Sequence, residues 1–154
     1  MPKKRHELES LENLRILISP SFEPEESFQL SSVTDKGTGQ HLYFVLIYEC
    51  STETDGFDRA KGKVQLSPAQ TNAILALCQN MNIGLFPKDI VVGLDGTTTK
   101  VTIAQGMNSI RMEWWEDAPK PWKPVERIIG MLRQIVNDAI NAPKIKNSGK
   151  ESGE

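Results

Sequence analysis

Apolar and polar residues alternate with a period of two in two neighbouring stretches of this chain. From Thr97 to Ala104, Thr99, Val101 and Ile103 point one way, and Thr98, Lys100 and Thr102 the other. From Ile110 to Trp115, Ile110, Met112 and Trp114 oppose Arg111, Glu113 and Trp115. The link from Gln105 to Ser109 is short enough for a hairpin, and Asp95-Gly96 carries a strong turn signal. These signals predict a three-stranded meander that begins with a strand over Ile90 to Leu94. Leu42 to Tyr48 is apolar on both parities, which suggests a central strand covered on two sides. Phe28 and Leu30 mark a partner strand before it, and Val64 and Leu66 a short one after it, across a loop from Ser51 to Gly62.

A period near 3.6 takes over twice. Ser67-Pro68-Ala69-Gln70 places Ser at an N-cap, Pro at the first helical position and Gln where it can reach back to the cap. The helix so begun carries Ala73, Ile74, Leu77, Cys78 and Met81 on one face, and Gly84 suits its end, giving a span of about 67–83. A second helix over about 124–140 opens at Pro124 and shows a stripe of Val125, Ile128, Ile129, Leu132, Ile135, Val136 and Ala139 before Pro143 blocks continuation. Leu8, Leu11, Leu14 and Ile18 suit a helix, whereas Arg15 to Ser19 can extend, so the opening segment is expected to be a short helix running into a strand.

Strands, helix, strands, helix is the order of an α+β domain. We expect an antiparallel sheet of five or six strands carrying two main helices on one face. Residues 1–142 form the expected single domain. The segment 143–154, polar and rich in Lys, Gly and Ser, is the expected disordered tail.

Composition narrows the function classes without choosing one. The chain has 154 residues, 38% hydrophobic and 25% charged, with a net charge of −2. Those values describe an ordinary globular protein. Charges are scattered, with no long basic stripe, so nucleic acid is not the expected partner. Leu42 to Tyr48, the longest strongly apolar run, is far below the ~20 residues of a membrane span, and Glu7, Glu9 and Glu12 interrupt any secretory leader. A cytoplasmic, membrane-free protein is expected. Pro2 to Arg5 reads as a solvated basic terminus in preference to an import signal.

His6, His41, Cys50 and Cys78 are all the soft ligands, and no two have zinc-motif spacing; no metal or cofactor is expected, nor a disulfide. His41 and Cys50 bracket one predicted strand, ~30 Å apart at ~3.3 Å per residue, so they form no dyad. Cys78 is expected to be a buried, inert thiol on the apolar face of its helix. Gly93 to Lys100 looks like a phosphate loop only superficially, because it leads into a strand. Asp95, Glu113, Glu116 and Asp117 remain open to acid-base work, and a hydrolase pairing Asp95 or Glu113 with His41 is the enzymatic alternative.

The run Ile110 to Pro124 holds three tryptophans and three prolines. By parity Trp114 enters the core beneath the final helix and Trp115 faces away, while Trp122 folds back over the sheet end. Two roles are open to Trp115: packing under a loop, or anchoring a partner with Arg111, Glu113, Thr98, Lys100 and Thr102 around it. The N-terminal segment could also cover that face. From Gly93 to about Ile140, the series Asp95-Gly96-Thr97-Thr98, Asn108, Trp114-Trp115, Pro121-Trp122 and Pro124 before an apolar helix resembles a family of uncharacterised small bacterial domains. That likeness covers about a third of the chain. It implies a bacterial cytoplasmic domain and assigns no functional residue. The leading expectation is a non-enzymatic protein-binding module, such as an immunity- or antitoxin-like inhibitor; a homodimeric structural protein is the other alternative.

Overall fold

The computed structural model describes residues 8–52, 58–88, 91 and 93–143. Its strands are β1 (Leu8–Pro20), β2 (Glu26–Asp35), β3 (His41–Ser51), β4 (Arg59–Gln65), β5 (Thr97–Gln105) and β6 (Asn108–Trp115). Helix α1 (Pro68–Gln79) follows β4, and helix α2 (Lys123–Asn141) follows β6 through a single 3-10 turn, Lys120–Trp122. All six strands join one antiparallel sheet in the order β4-β3-β2-β1-β5-β6, an α+β architecture with both helices on one face.

Alternation decides which side chains meet the helices. Leu14, Ile16 and Ile18 of β1 stand opposite Leu30, Phe28 and Glu26 of β2 on one side and Ile103, Val101 and Thr99 of β5 on the other. These positions share a face with Leu46, Cys50, Met112 and Trp114, and that face is buried against Val125, Ile128, Ile129, Leu132, Ile135 and Val136 of α2. The helix stripe read from the sequence is thus the inner surface of α2; Ala139, near its end, is half-buried.

The opening segment is strand throughout, and no helix precedes it. Its mixed periodicity has a cause. Register shifts between Glu12 and Leu14, so Asn13 is a bulge that reverses side-chain parity within one strand. The Asn13 side chain fills the gap: Oδ1 accepts from Ser32 N at 3.0 Å and Nδ2 donates to the Ala104 carbonyl at 3.5 Å. One amide therefore serves both strands flanking β1.

Three other expectations need correction. β5 pairs with β1, so the predicted strand before it has no place: Val91 and Gly93–Gly96 are not strand, while residues 89, 90 and 92 lie outside the described residues. β4 starts at Arg59 and pairs with β3 as far as Ser51, so the loop is shorter than the turn-rich composition suggests; residues 53–57 lie outside the described residues. β3 is the second strand from an edge, not a doubly covered centre, because Leu42 and Ile47 are exposed although Val45 is buried.

Helix α1 keeps its capping box, with Gln70 N donating to Ser67 Oγ at 3.2 Å and Ser67 N to Gln70 Oε1 at 2.9 Å. It ends at Gln79, one turn short of the predicted stop, where the Asn80 backbone and side chain both bond the Ala76 carbonyl. Only Ile74 of its apolar face is buried; Ala73 and Cys78 are exposed. The expected polar tail falls at 143–154, of which residues 144–154 lie outside the described residues, as do residues 1–7.

Leu132→Ala is expected to cost about 2–5 kcal/mol through the cavity it leaves, and Asn13→Ala about 1–3 kcal/mol through two sheet groups left unpaired. Met107→Ala, on a fully exposed loop side chain, should stay within about 0.5 kcal/mol. Equilibrium urea unfolding of the three variants checks all three values.

Candidate functional site

The six residues singled out for partner contact occupy one patch. Register sets Thr98 against Trp115, Lys100 against Glu113 and Thr102 against Arg111, three cross-strand pairs on the face of the sheet away from the helices. Glu113 lies 3.6 Å from Lys100 Nζ and 3.8 Å from Arg111 Nη2. No described helix packs on this face. The N-terminal cover considered for it, residues 1–7, lies outside the described residues.

Followed across the sheet, the same face gathers cations. Arg15 of β1, Arg59, Lys61 and Lys63 of β4, Lys100 of β5 and Arg111 of β6 share its parity. The opposing carboxylates with described side chains are Glu49 and Glu113; the Asp35 carboxylate is committed to a turn, accepting from Gly37 N at 2.7 Å and Thr38 N at 3.2 Å. Glu49 is paired with Arg59 at 3.4 Å. Lys61 and Lys63 make no ion pair with a described residue. Between them the face carries neutral side chains, the half-buried Ser27 and Gln29 and the exposed Ile47, with Ser31 and Val45 buried. The cations of β4 escaped the sequence reading, although Arg59, Lys61 and Lys63 alternate with Ala60, Gly62 and Val64 and so announce one face.

Trp114 is buried under α2, and Trp115 lies on the other face, as parity requires. Of the two roles open to Trp115, packing under a loop is realised. A Cβ at Gly93 would collide with its ring, and one at Gly96 would meet both the ring, at 2.7 Å, and the Glu116 carboxylate. Gly96 also has φ +154, so the Asp95-Gly96 corner needs glycine for conformation and for space. The corner is fastened from two sides. Gly96 N donates to Ser21 Oγ at 2.9 Å while Ser21 N donates to the Gly96 carbonyl at 2.9 Å. Thr97 N donates to Glu116 Oε1 at 2.7 Å.

Trp122 closes the opposite corner, where its Nε1 donates to the Gly84 carbonyl at 2.8 Å and its ring sits 6.1 Å from that of Trp114. All three indoles border one pocket of about 310 Å³, together with Phe86, Pro87, Val91 and Pro119, and with Glu113 and Asp117 as its charged members. Neighbouring residues of a strand reach a common pocket only around an open edge, and β6 is the edge strand. The contribution of Phe86, Pro87 and Val91 carried no periodic signal in the sequence.

On the helix side, a groove of about 450 Å³ between α2 and the strand ends is bordered by Glu23, Glu26, Glu116, Glu126 and Arg133. Glu26, Glu116 and Glu126 already hold the fold. Glu26 pairs with Arg133 at 3.3 Å; Glu126 accepts from Ala118 N at 2.9 Å and meets Lys123 Nζ at 3.1 Å. A smaller adjoining cavity of about 220 Å³ reaches Cys50. Burial pushes the Cys50 thiol up, Glu26 adds to this, and Arg133 and Arg59 oppose it. A thiol held protonated is a poor nucleophile.

The catalytic alternative is not assembled. His41 packs against Phe44 in β3, the rings 4.6 Å apart and tilted by 49°, and three strands separate β3 from β6, placing Glu113 ~19 Å away at ~4.8 Å per strand. Asp95 lies just before β5, two strands further than β2 from β3. Among the described residues no three His, Cys, Asp or Glu side chains group as metal ligands, and no helix is long and apolar enough to cross a membrane.

The fold is therefore that of a two-layer α+β protein with one helix-covered face and one basic face. No protein-family model matches the chain, and no curated protein matches it either.

Cys78, exposed where burial was expected, should react first with a thiol reagent, and Cys78→Ala should leave one slow thiol; equal rates would place Cys50 at the surface. Trp115→Ala should destabilise by about 2 kcal/mol, part of the ~3–5 kcal/mol of a fully buried tryptophan, as read from thermal and urea unfolding.

Proposed function

We propose that this chain is a non-enzymatic binding module that docks an acidic protein on the helix-free face of its sheet. The observation that carries this reading is the concentration of six cations, Arg15, Arg59, Lys61, Lys63, Lys100 and Arg111, on one face of a chain whose net charge is −2. Compensating carboxylates are fewer there, and Lys61 and Lys63 are unpaired among the described residues. Such a face attracts an oppositely charged surface at long range and repels like-charged competitors.

The patch chosen from the sequence is one border of that surface. Lys100, Glu113 and Arg111 form a mixed-charge row that can fix orientation, with Thr98 and Thr102 offering hydroxyls beside it. Trp115 supports the row from within the sheet and its loop, and is not the free anchor of the patch. An immunity- or antitoxin-like inhibitor that covers an acidic site on another protein is the specific role this surface would suit. Docking by a sheet face asks for no catalytic constellation in the chain itself.

The test compares wild type with the variant Lys61→Glu, Lys63→Glu, Arg111→Glu as immobilised baits, with quantitative mass spectrometry of proteins and staining of nucleic acid. The reading expects an acidic protein that wild type retains and the variant loses, and whose retention falls steeply when salt shortens the Debye length from ~10 Å toward ~3 Å. Equal retention by both baits, retention of nucleic acid, or concentration-dependent self-association in its place would overturn it.

A further inference from the structure

The pocket at the three tryptophans is chemically unlike the basic face beside it. Its border is apolar and aromatic, formed by Trp114, Trp115, Trp122 and Phe86 with two prolines and Val91, and its only charged members among the described residues are the carboxylates Glu113 and Asp117. We propose that this pocket binds an alkylated ammonium group of the trimethylammonium type. The inference does not rest on the docking reading, although Glu113 and Trp115 border both sites.

Three features select that chemistry. Aromatic faces attract cations through their quadrupoles, tryptophan most strongly. The carboxylates supply negative charge at the same border, and no Lys or Arg borders the pocket among the described residues. Lys100 and Arg111 lie 3.6 and 3.8 Å from Glu113, and Lys123 lies 3.9 Å from Asp117, in exposed pairs of the kind that hold little energy. A ligand cation has only these weak pairs to displace.

Hydrogen bonding then separates an alkylated cation from a plain amine. A primary ammonium carries three donors that must be satisfied; the Glu113 and Asp117 carboxylates at the border can accept from it, but the indole, phenyl, proline and valine wall cannot, so on that wall its remaining donors lose the acceptors they had in water. A quaternary ammonium has the same charge and no donor, so its methyl groups can lie on indole and phenyl faces without that penalty. The volume of about 310 Å³ sits at the small end of ligand sites, ~300–1,000 Å³, large enough for the head group and part of its chain. Phe86, 90% exposed, stands at the border as an aromatic surface, which is what a ligand-capping side chain presents before binding.

The experiment titrates the full chain with choline, with its neutral isostere 3,3-dimethyl-1-butanol, and with a short peptide bearing trimethyllysine or unmodified lysine. Tryptophan fluorescence and calorimetry report binding. The proposal expects saturable binding of choline or of the trimethyllysine peptide, about tenfold tighter than the neutral isostere or the unmodified peptide. Whichever of the two binds more tightly identifies the source as a free metabolite or a modified protein tail. Phe86→Ala and Asp117→Asn, both at highly exposed positions, should each weaken binding several-fold while urea unfolding stays unchanged. Isostere binding equal to that of choline would show a merely greasy pocket, and absence of any saturable response to the cations would remove the site; either result overturns the proposal.

Discussion

Strand β1 is hydrogen-bonded on both sides, to β2 along ten residue pairs and to β5 along seven, and it is the seam between the two halves of the sheet. On one side lie the consecutive strands β2, β3 and β4; on the other lies the hairpin of β5 and β6. The residues that β1 turns toward the helices, Leu14, Ile16 and Ile18, are all buried and sit among Phe28, Val101 and the inner stripe of α2. Removing them would take the centre from the core and the join from the sheet together. Both the basic face and the tryptophan corner inherit their geometry from this seam, because the parity of β5 and β6 is set by pairing with it.

Where a segment meets water on one side only, its sequence could be read directly. Thr98 to Ile103 and Ile110 to Trp115 alternate cleanly, and their hairpin, their parity and the opposed indoles at 114 and 115 are all present in the structure. The stripe of α2 was legible for the same reason, and the capping box of α1 because its four residues are local. Fold class followed from element order. The failures have physical causes of their own. Asn13 inserts a bulge that breaks the period of β1 into something resembling a helix. Cys78 looked buried because α1 carries apolar residues that its neighbours do not cover, and only Ile74 is enclosed. The strand expected before Asp95 would have needed an edge of β5 that a segment some eighty residues earlier already occupies.

The candidate site was half legible. Cross-strand partners within one hairpin could be named from spacing, so Lys100, Glu113 and Arg111 were found. Arg59, Lys61 and Lys63 belong to the far edge of the sheet, and only the strand order shows that they share a face with the hairpin. Scattered charges in one dimension become segregated charges in three: carboxylates border the groove under α2, and cations occupy the open face. The tryptophan pocket is a further step removed, since Phe86 and Val91 come from irregular chain that no periodicity predicts.

The pairing of β1 with β5 also has a consequence for how the chain is made. Leu14 meets Ile103 and Pro20 meets Thr97, contacts of high sequence separation whose loop-closure entropy must be met before they contribute. A ribosome releases β1 long before its second neighbour, so one side of that strand waits with its backbone donors and acceptors open to any passing strand. High contact order of this kind slows folding and leaves the half-built sheet exposed to association during synthesis. The last residues of the hairpin are what close that interval.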